Sequence, residues 1–376
     1  MKSNKLPEVT LKKDINKILI KGVEEGVFPC AASGIFYRQN GERKKIINFV
    51  GNAALFPIKR ELKKNDFFDL ASLTKPLATT LAVLCLVKMK KISLDEKISS
   101  IFNKKVKEEK KGINIRQLLS HSAGFPAHRD YFTLLRDVPD KEKSDKILTL
   151  LLNEKIEYEP GSQSVYSDLG FMLLGKIIEK RGGCSLAEFV EKKVLKPIHL
   201  QNKIFYNPLH SENKKKGFVA TEKCTWRNKV LTGEVHDDNC YAMGGIAGHS
   251  GLFGNIEGVT DYTCFILDMW KNRVNHPNIA NKDLKKFLTR QPIPGSCWAL
   301  GFDTPAVKES SSGKHFTSAS VGHLGFTGTS FWIDPIKEIV VVLLTNRVHP
   351  DRANIQIRKF RPLFHDYVME KIFGAT

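Results

Sequence analysis

Strand-like text occupies the two ends of the chain and helical text fills its middle, and this split constrains the fold more than any other feature. Ala31–Arg38 and Lys45–Val50 read as two strands around Asn40-Gly41, a hairpin turn signal. Near the other end, Lys314–Val321, Gly322–Trp332 and Glu338–Thr345 read as three more, separated by turn residues that include Asp334-Pro335. Leu11, Ile15, Ile18, Leu19 and Val23 recur at helical spacing before the first pair. After the last strand, Ile355, Ile357, Phe360, Leu363, Phe364, Val368 and Ile372 form one apolar face of a closing helix over Ala353–Ile372. Strands joined by tight turns pair antiparallel. The expected fold is therefore α/β (α+β), with one antiparallel sheet built from both chain ends and covered by the terminal helices.

The middle is read as an inserted, mainly helical domain over residues 71–239, with 1–70 and 240–376 forming the sheet domain and a cleft between them. Ser72–Met89 is apolar almost all round, as in a buried central helix. Ile113–Ser120, Asp168–Lys180 and Ser185–Val194 follow as helices, and Gln201–Asn239 reads as a long irregular connection. The apolar stretch Leu77–Val87 is too short to span a bilayer. The N-terminus lacks an apolar run and a cleavage pattern, so the expected location is cytoplasmic. Seven cysteines without C-x-x-C spacing fit reduced, mostly buried thiols.

The formal charge of +19 raises the question of an anionic partner. The basic runs Lys59–Lys64 and Lys104–Lys111 contain glutamate and lack interleaved aromatics, so they read as solvated surface, and no nucleic-acid partner is expected.

Chemistry concentrates in three segments. In Ala71-Ser72-Leu73-Thr74-Lys75-Pro76, Ser72 and Lys75 lie three apart and share a helical face. A serine hydroxyl is a poor nucleophile at neutral pH, and a desolvated lysine can take its proton. Pro76 marks a first helical turn, whose free N–H groups favour a developing anion. Alone, S-x-x-K is a weak signal: a capping serine with a solvent-facing lysine gives the same text. Tyr166-Ser167-Asp168 precedes a helix and supplies a phenol able to shuttle protons, or simply a capping pair beside a packed ring. Gly322-His323-Leu324-Gly325-Phe326 opens a glycine-rich strand, read either as close approach of backbone to a ligand or as a bulged edge. A polar cluster at Gly233–Asn239, with His249 nearby, lacks metal-site spacing and reads as loop hydrogen bonding; neither a metal nor another cofactor is expected. His121 reads as a buried structural hydrogen-bonder. The G-x-S-x-G elbow of α/β-hydrolases is absent.

The order S-x-x-K, Y-x-D, H-x-G resembles that of the class C beta-lactamase-related serine hydrolases, which include penicillin-binding proteins, D-aminopeptidases and esterases. Leu118–Pro126 is similar to that family's L-L-x-H-T-S-G-L-P, and Gly245–Phe253 to its glycine-rich loop before a helix. The likeness runs over roughly residues 15 to 370. The resemblance implies a beta-lactamase/transpeptidase-like unit without cofactor. It assigns Ser72 as acylated nucleophile, Lys75 as base and Tyr166 as proton-transfer partner. It also places an oxyanion hole at the backbone N–H groups of Ser72 and Phe326, with His323 and Gly325 on the bordering strand. Specificity would then lie in the loops Ala127–Lys143 and Gln201–Cys240. Two departures stand out. Asp168 replaces the usual asparagine and favours a protonated Lys75. His323 replaces the lysine of K-T-G, removing a fixed cation for a substrate carboxylate. The expected function is a serine hydrolase acting through an acyl-enzyme on a small ester, amide or D-amino-acid peptide, with weak or no beta-lactamase activity. The rival is a penicillin-binding-like sensor or binding protein that turns over slowly.

Overall fold

The computed structural model describes residues 8–39, 41–103, 106–209 and 217–374. Asn40 of the expected hairpin turn, and Lys104 at the start of the second basic run, lie outside them. In chain order the strands are β1 (Cys30–Gln39), β2 (Glu42–Ala54), β3 (Arg60–Glu61), β4 (Phe68–Asp69), β5 (Ile204–Tyr206), β6 (Ala220–Cys224), β7 (Lys229–Thr232), β8 (Leu252–Gly254), β9 (Val321–Leu324), β10 (Ser330–Asp334) and β11 (Ile339–Thr345). Six of them form one antiparallel sheet in the order β3-β2-β1-β11-β10-β9, so both chain ends meet at the β1–β11 pairing.

Alternation along β11 explains why both faces are covered. Ile339, Val341 and Leu343 pack with Leu11, Ile15 and Leu19 of the helix Glu8–Glu24 and Phe364 and Val368 of the helix Ile357–Phe373. Val340, Val342 and Leu344 belong to the larger core on the opposite face, with Ile256 and Val259 of the helix Ile256–Trp270. Gly34 of β1 admits that helix closely, since a Cβ there would lie 1.8 Å from Thr260 Oγ1.

The central helical run is segmented. A 3₁₀ turn (Ala71–Leu73), a π-helical stretch (Lys75–Thr80) and an α-helix (Leu81–Lys88) replace one uniform helix. Pro76 lacks an N–H, and such wide turns recur at functional sites. Ala71–Lys88 is long and apolar enough to cross a membrane, but most of it is buried inside the fold.

Four sequence expectations need correction. Gly322–Trp332 is two strands, not one: the Gly328 N–H donates to Gly325 O at 3.0 Å, and Gly328 turns the chain with φ at 103°. Lys314–Ser320 is not strand, because the Asp334 carboxylate ties down the Thr317 N–H at 2.8 Å. The closing helix starts at Ile357, because the Arg347 guanidinium occupies the carbonyls of Arg352 and Asn354; Ile355 and Leu363 of the expected apolar face are exposed. The connection Gln201–Asn239 also contains β5, β6 and β7. Their pairing depends on distant groups, among them Asn346, which donates to Ala220 O, and His349, which donates to Thr221 O.

Candidate active site

Ser72 follows a strained residue. Ala71 has φ at 47°, the left-handed region that L residues with a Cβ rarely occupy. Buried Asp69 holds this turn, accepting the Ala71 N–H on one carboxylate oxygen at 2.8 Å and the His236 N–H on the other at 2.6 Å. From the sheet side, Thr327 donates to Asp69 O at 2.8 Å and Thr329 to Leu70 O at 3.2 Å. Gly325 is tightly enclosed: a Cβ there would lie 2.0 Å from Thr329 Oγ1 and 2.8 Å from Leu70 O. The glycine of the H-x-G segment is thus a packing requirement that brings the β9–β10 turn against the serine turn.

Lys75 is completely buried and donates to three acceptors: Ser72 Oγ at 2.9 Å, Asp168 Oδ1 at 2.7 Å and the His249 carbonyl at 3.2 Å. The Tyr166 ring centroid lies 4.8 Å from its ammonium nitrogen, and the Tyr166 hydroxyl interacts with both Ser72 and Lys75. Burial pushes the Lys75 pKa down, but the Asp168 and Tyr166 charges more than reverse it, leaving it raised. For Tyr166, burial dominates and raises the phenol, while Lys75 pulls against it. Burial also opposes ionisation of Asp168, yet Lys75 and His128 hold its carboxyl far below the usual range. His128 Nδ1 lies 3.3 Å from Asp168 Oδ2.

Ser72, Lys75, Tyr166, Asp168, His323, Gly325 and Phe326 therefore converge. All but Lys75 line one cleft of about 670 Å³, and the buried Lys75 lies beneath Ser72. Ala127, His128 and Asp130 from one expected loop and His236, Asp237 and Asp238 from the other complete its walls. His323 is buried, and its Nδ1–H donates to Leu324 O at 2.8 Å. Burial and the nearby Lys75 charge push it down to about 3, so it is a neutral ring whose Nε2 has no partner among the described residues. His121 accepts the Ser167 N–H at 3.1 Å and stacks within an aromatic cluster with Tyr166 and Trp298. In the polar cluster, His249 Nε2 meets Asp237 at 2.8 Å and His236 Nε2 meets Glu222 at 3.1 Å.

Sequence reasoning missed five contributors. Trp298 stacks on Tyr166 at 5.4 Å in a segment without periodicity. His249 acts through its backbone carbonyl, which no side-chain motif reports. Arg347, Arg358 and Arg361 line the cleft, although two of them read only as the polar face of the closing helix.

The Beta-lactamase family model matches residues 50–361. An N-acetylmuramyl-L-alanine amidase of Bacillus subtilis is 33% identical over 317 residues, 77% of this chain and 70% of that protein. A putative D-alanyl-D-alanine carboxypeptidase of Salmonella typhi is 31% identical over 350 residues, 83% and 78% of the two. The octameric penicillin-binding protein homologue from Pyrococcus abyssi shares the fold with a TM-score of 0.67 at 20% identity, over 96% of this chain and 79% of that one. EstCE1, a hydrolase with promiscuous acyltransferase activity, does so with a TM-score of 0.70 at 19% identity, over 94% and 99%. The family model covers Ser72, Lys75, Tyr166, Asp168, His249 and His323, and with relatives above 30% identity over most of both chains, this chain belongs to the beta-lactamase family of serine hydrolases.

Proposed function

We propose that Ser72 is acylated by a small ester, amide or D-amino-acid peptide and then released by water, with weak or no turnover of beta-lactams. The observation that carries this reading is the 2.9 Å contact between the buried Lys75 ammonium and Ser72 Oγ at the floor of the cleft. Lys75 and Tyr166 act as one base, titrating as a pair because their charges interact. Acylation proceeds from the form of this pair that has first lost one proton to solvent: as Ser72 Oγ bonds to the acyl carbon, its proton passes to the free Lys75 amine or the Tyr166 phenolate, and the C=O π electrons move onto oxygen as an oxyanion. The Phe326 N–H, which has no acceptor among the described residues, and the Ser72 N–H are the donors assigned to it. Collapse breaks the bond to the leaving group, which takes the proton. Water then repeats the sequence and frees the acid. The relatives named as amidase and carboxypeptidase support an amide or peptide substrate.

A fluorophosphonate probe should label Ser72, located by peptide mapping, and Ser72→Ala should abolish ester hydrolysis. Labelling at another residue, or none on folded protein, overturns the assignment. The Lys75–Asp168 ion pair favours a second reading, a slow acylating sensor, because it stores the base in its protonated form. An acyl-enzyme burst followed by negligible steady-state turnover would select that reading.

A further inference from the structure

The β2–β3 hairpin ends in an apolar tip that the fold leaves in solvent. Asn52 pairs with Glu61 and Ala54 with Arg60, so residues 55–59 project beyond the last paired positions. Phe56 is 52% exposed and Ile58 79%, with exposed Pro57 between them. Scattered exposed apolar residues are ordinary, but a contiguous apolar tip on a hairpin is not what a solvated turn requires. The tip is also firmly held out. The Leu55 N–H donates to His349 Nε2 at 2.9 Å, and His349 donates from Nδ1 to Thr221 O at 2.6 Å. The Phe56 and His349 ring centroids lie 6.3 Å apart. On the other arm, Arg60 donates to Phe218 O at 2.6 Å and to Asp66 at 2.7 Å, and Asp66 accepts the Lys63 N–H at 2.8 Å.

The basic run that reads from sequence as solvated surface follows this tip directly. Lys59, Lys63 and Lys64 are exposed, and Glu61 is the acid among them. Lys64 pairs with Glu257 at 2.7 Å and Arg60 with Asp66. Lys59 and Lys63 have no carboxylate within salt-bridge distance among the described residues. One face of β2 continues the pattern, since Lys45 and the exposed Phe49 lie an even number of residues apart. Lys45 and Lys203 there share Asp261, each at 2.9 Å. Apolar side chains bordered by lysine suit an anionic bilayer. The apolar groups enter the boundary between headgroups and acyl chains, and the ammonium groups stay with the phosphates. A nucleic acid would match the charge but offers no acyl layer to Ile58.

We infer that the β2–β3 tip is a membrane-docking element: Phe56 and Ile58 enter the surface of an anionic bilayer while Lys59, Lys63 and Lys64 meet its phosphates. The inference goes beyond the reading of the cleft and does not depend on it. It has a consequence for the cleft nonetheless. His349, which anchors the tip, lies between Arg347 and Arg352 in the chain, and both of these line the cleft. Docking through the tip therefore holds the cleft beside the lipid surface. Two apolar side chains and a few cations make a reversible contact, far weaker than a spanning helix.

The test is co-sedimentation of the full chain with vesicles of phosphatidylcholine alone and of phosphatidylcholine mixed with phosphatidylglycerol. The mixed vesicles should bind at least about tenfold more tightly, the worth of two or more lysines near an anionic surface. The Phe56→Ser, Ile58→Ser double variant should weaken that binding at least about tenfold, the worth of one apolar side chain removed from water. Lys59→Gln and Lys63→Gln should each weaken it by about fivefold. All four side chains are exposed, so the variants should fold and keep the ester hydrolysis of the wild type in solution. In Phe56→Trp protein, compared with wild type, indole emission should shift to the blue on mixed vesicles and be quenched by lipids brominated in their acyl chains. Equal binding to the two vesicles, or no binding to the mixed ones, overturns the inference. So does binding that the lysine variants weaken but the double variant leaves untouched, which would be charge adsorption of the kind any polyanion gives. Vesicle binding does not involve Ser72, so its failure leaves the fluorophosphonate result and the nucleophile assignment unaffected.

Discussion

Lys75 Nζ lies 2.7 Å from Asp168 Oδ1, closer than it lies to Ser72 Oγ. This half-buried carboxylate holds the proposed base in its protonated form, since together with Tyr166 it outweighs the burial that would free the amine. It also raises Tyr166. Asp168→Asn keeps the shape and removes the charge. We expect the acidic limb of the kcat/KM profile to move to lower pH by about one to three units, the usual effect of one adjacent charge. An unmoved limb in a folded variant would reduce Asp168 to a helix-start residue without a role in the base.

Neutral His323 makes the second expectation. Burial drives it to about 3, so it carries no charge at pH 7 where K-T-G proteins carry a lysine. Short-chain ester hydrolysis should exceed cephalosporin hydrolysis in kcat/KM by about tenfold or more, the worth of one charge-assisted contact. Efficient cephalosporin turnover, measured with a chromogenic substrate, would show that the missing charge on β9 is immaterial.

Gly248 tests the backbone support of Lys75. Its carbonyl accepts Thr79 Oγ1–H at 2.6 Å, and a Cβ on it would lie 2.0 Å from the Phe171 carbonyl oxygen. That oxygen belongs to the helix Asp168–Gly182 and cannot yield, so Gly248→Ala must shift the loop that carries the His249 carbonyl. We expect a loss of about 1–3 kcal/mol in stability and at least about tenfold in kcat. A variant with unchanged Tm and unchanged kcat would contradict the packing argument.

Glu222 ties one cleft wall together, 3.1 Å from His236 Nε2 and accepting Arg352 Nε at 2.8 Å. Burial opposes its ionisation, but His236 and Arg352 bring its carboxyl down to about 2. A depressed folded pKa contributes stability above the unfolded value, near 4.5, and loses it as pH falls towards 2. Glu222→Gln should therefore cost about 1–3 kcal/mol at pH 7 and progressively less below pH 4. Denaturant melts at pH 7 and pH 3 check the sign; an equal loss at both would mean that the charge of Glu222 does not stabilise the fold.

The main sheet was legible because each end of the chain carries its own periodicity. Ile339–Thr345 alternates between two buried faces, and the apolar positions from Leu11 to Leu19 repeat at helical spacing. Those signals are local, so they survive without neighbours. The same holds for Ser72 and Lys75, whose three-residue spacing puts them on one face before any packing occurs. The motif order supplied Tyr166, Asp168 and His323, but not their contacts.

What only the tertiary structure decided is which charges meet. Lys75 and Asp168 are 93 positions apart, and whether the ammonium is stabilised depends on two elements folding face to face. The split of Gly322–Trp332 into β9 and β10 followed from Thr327 and Thr329 bonding the serine turn, contacts across more than 250 residues. The late start of the closing helix, the strands within Gln201–Asn239 and the arginine side of the cleft share that origin. Each depends on a buried polar group whose partner lies far along the chain, and unpaired burial is costly enough to override local propensity. Sequence alone therefore determined the periodic elements and the Ser72–Lys75 pair. Packing determined the charge states, the turns and the walls that make the pair a site.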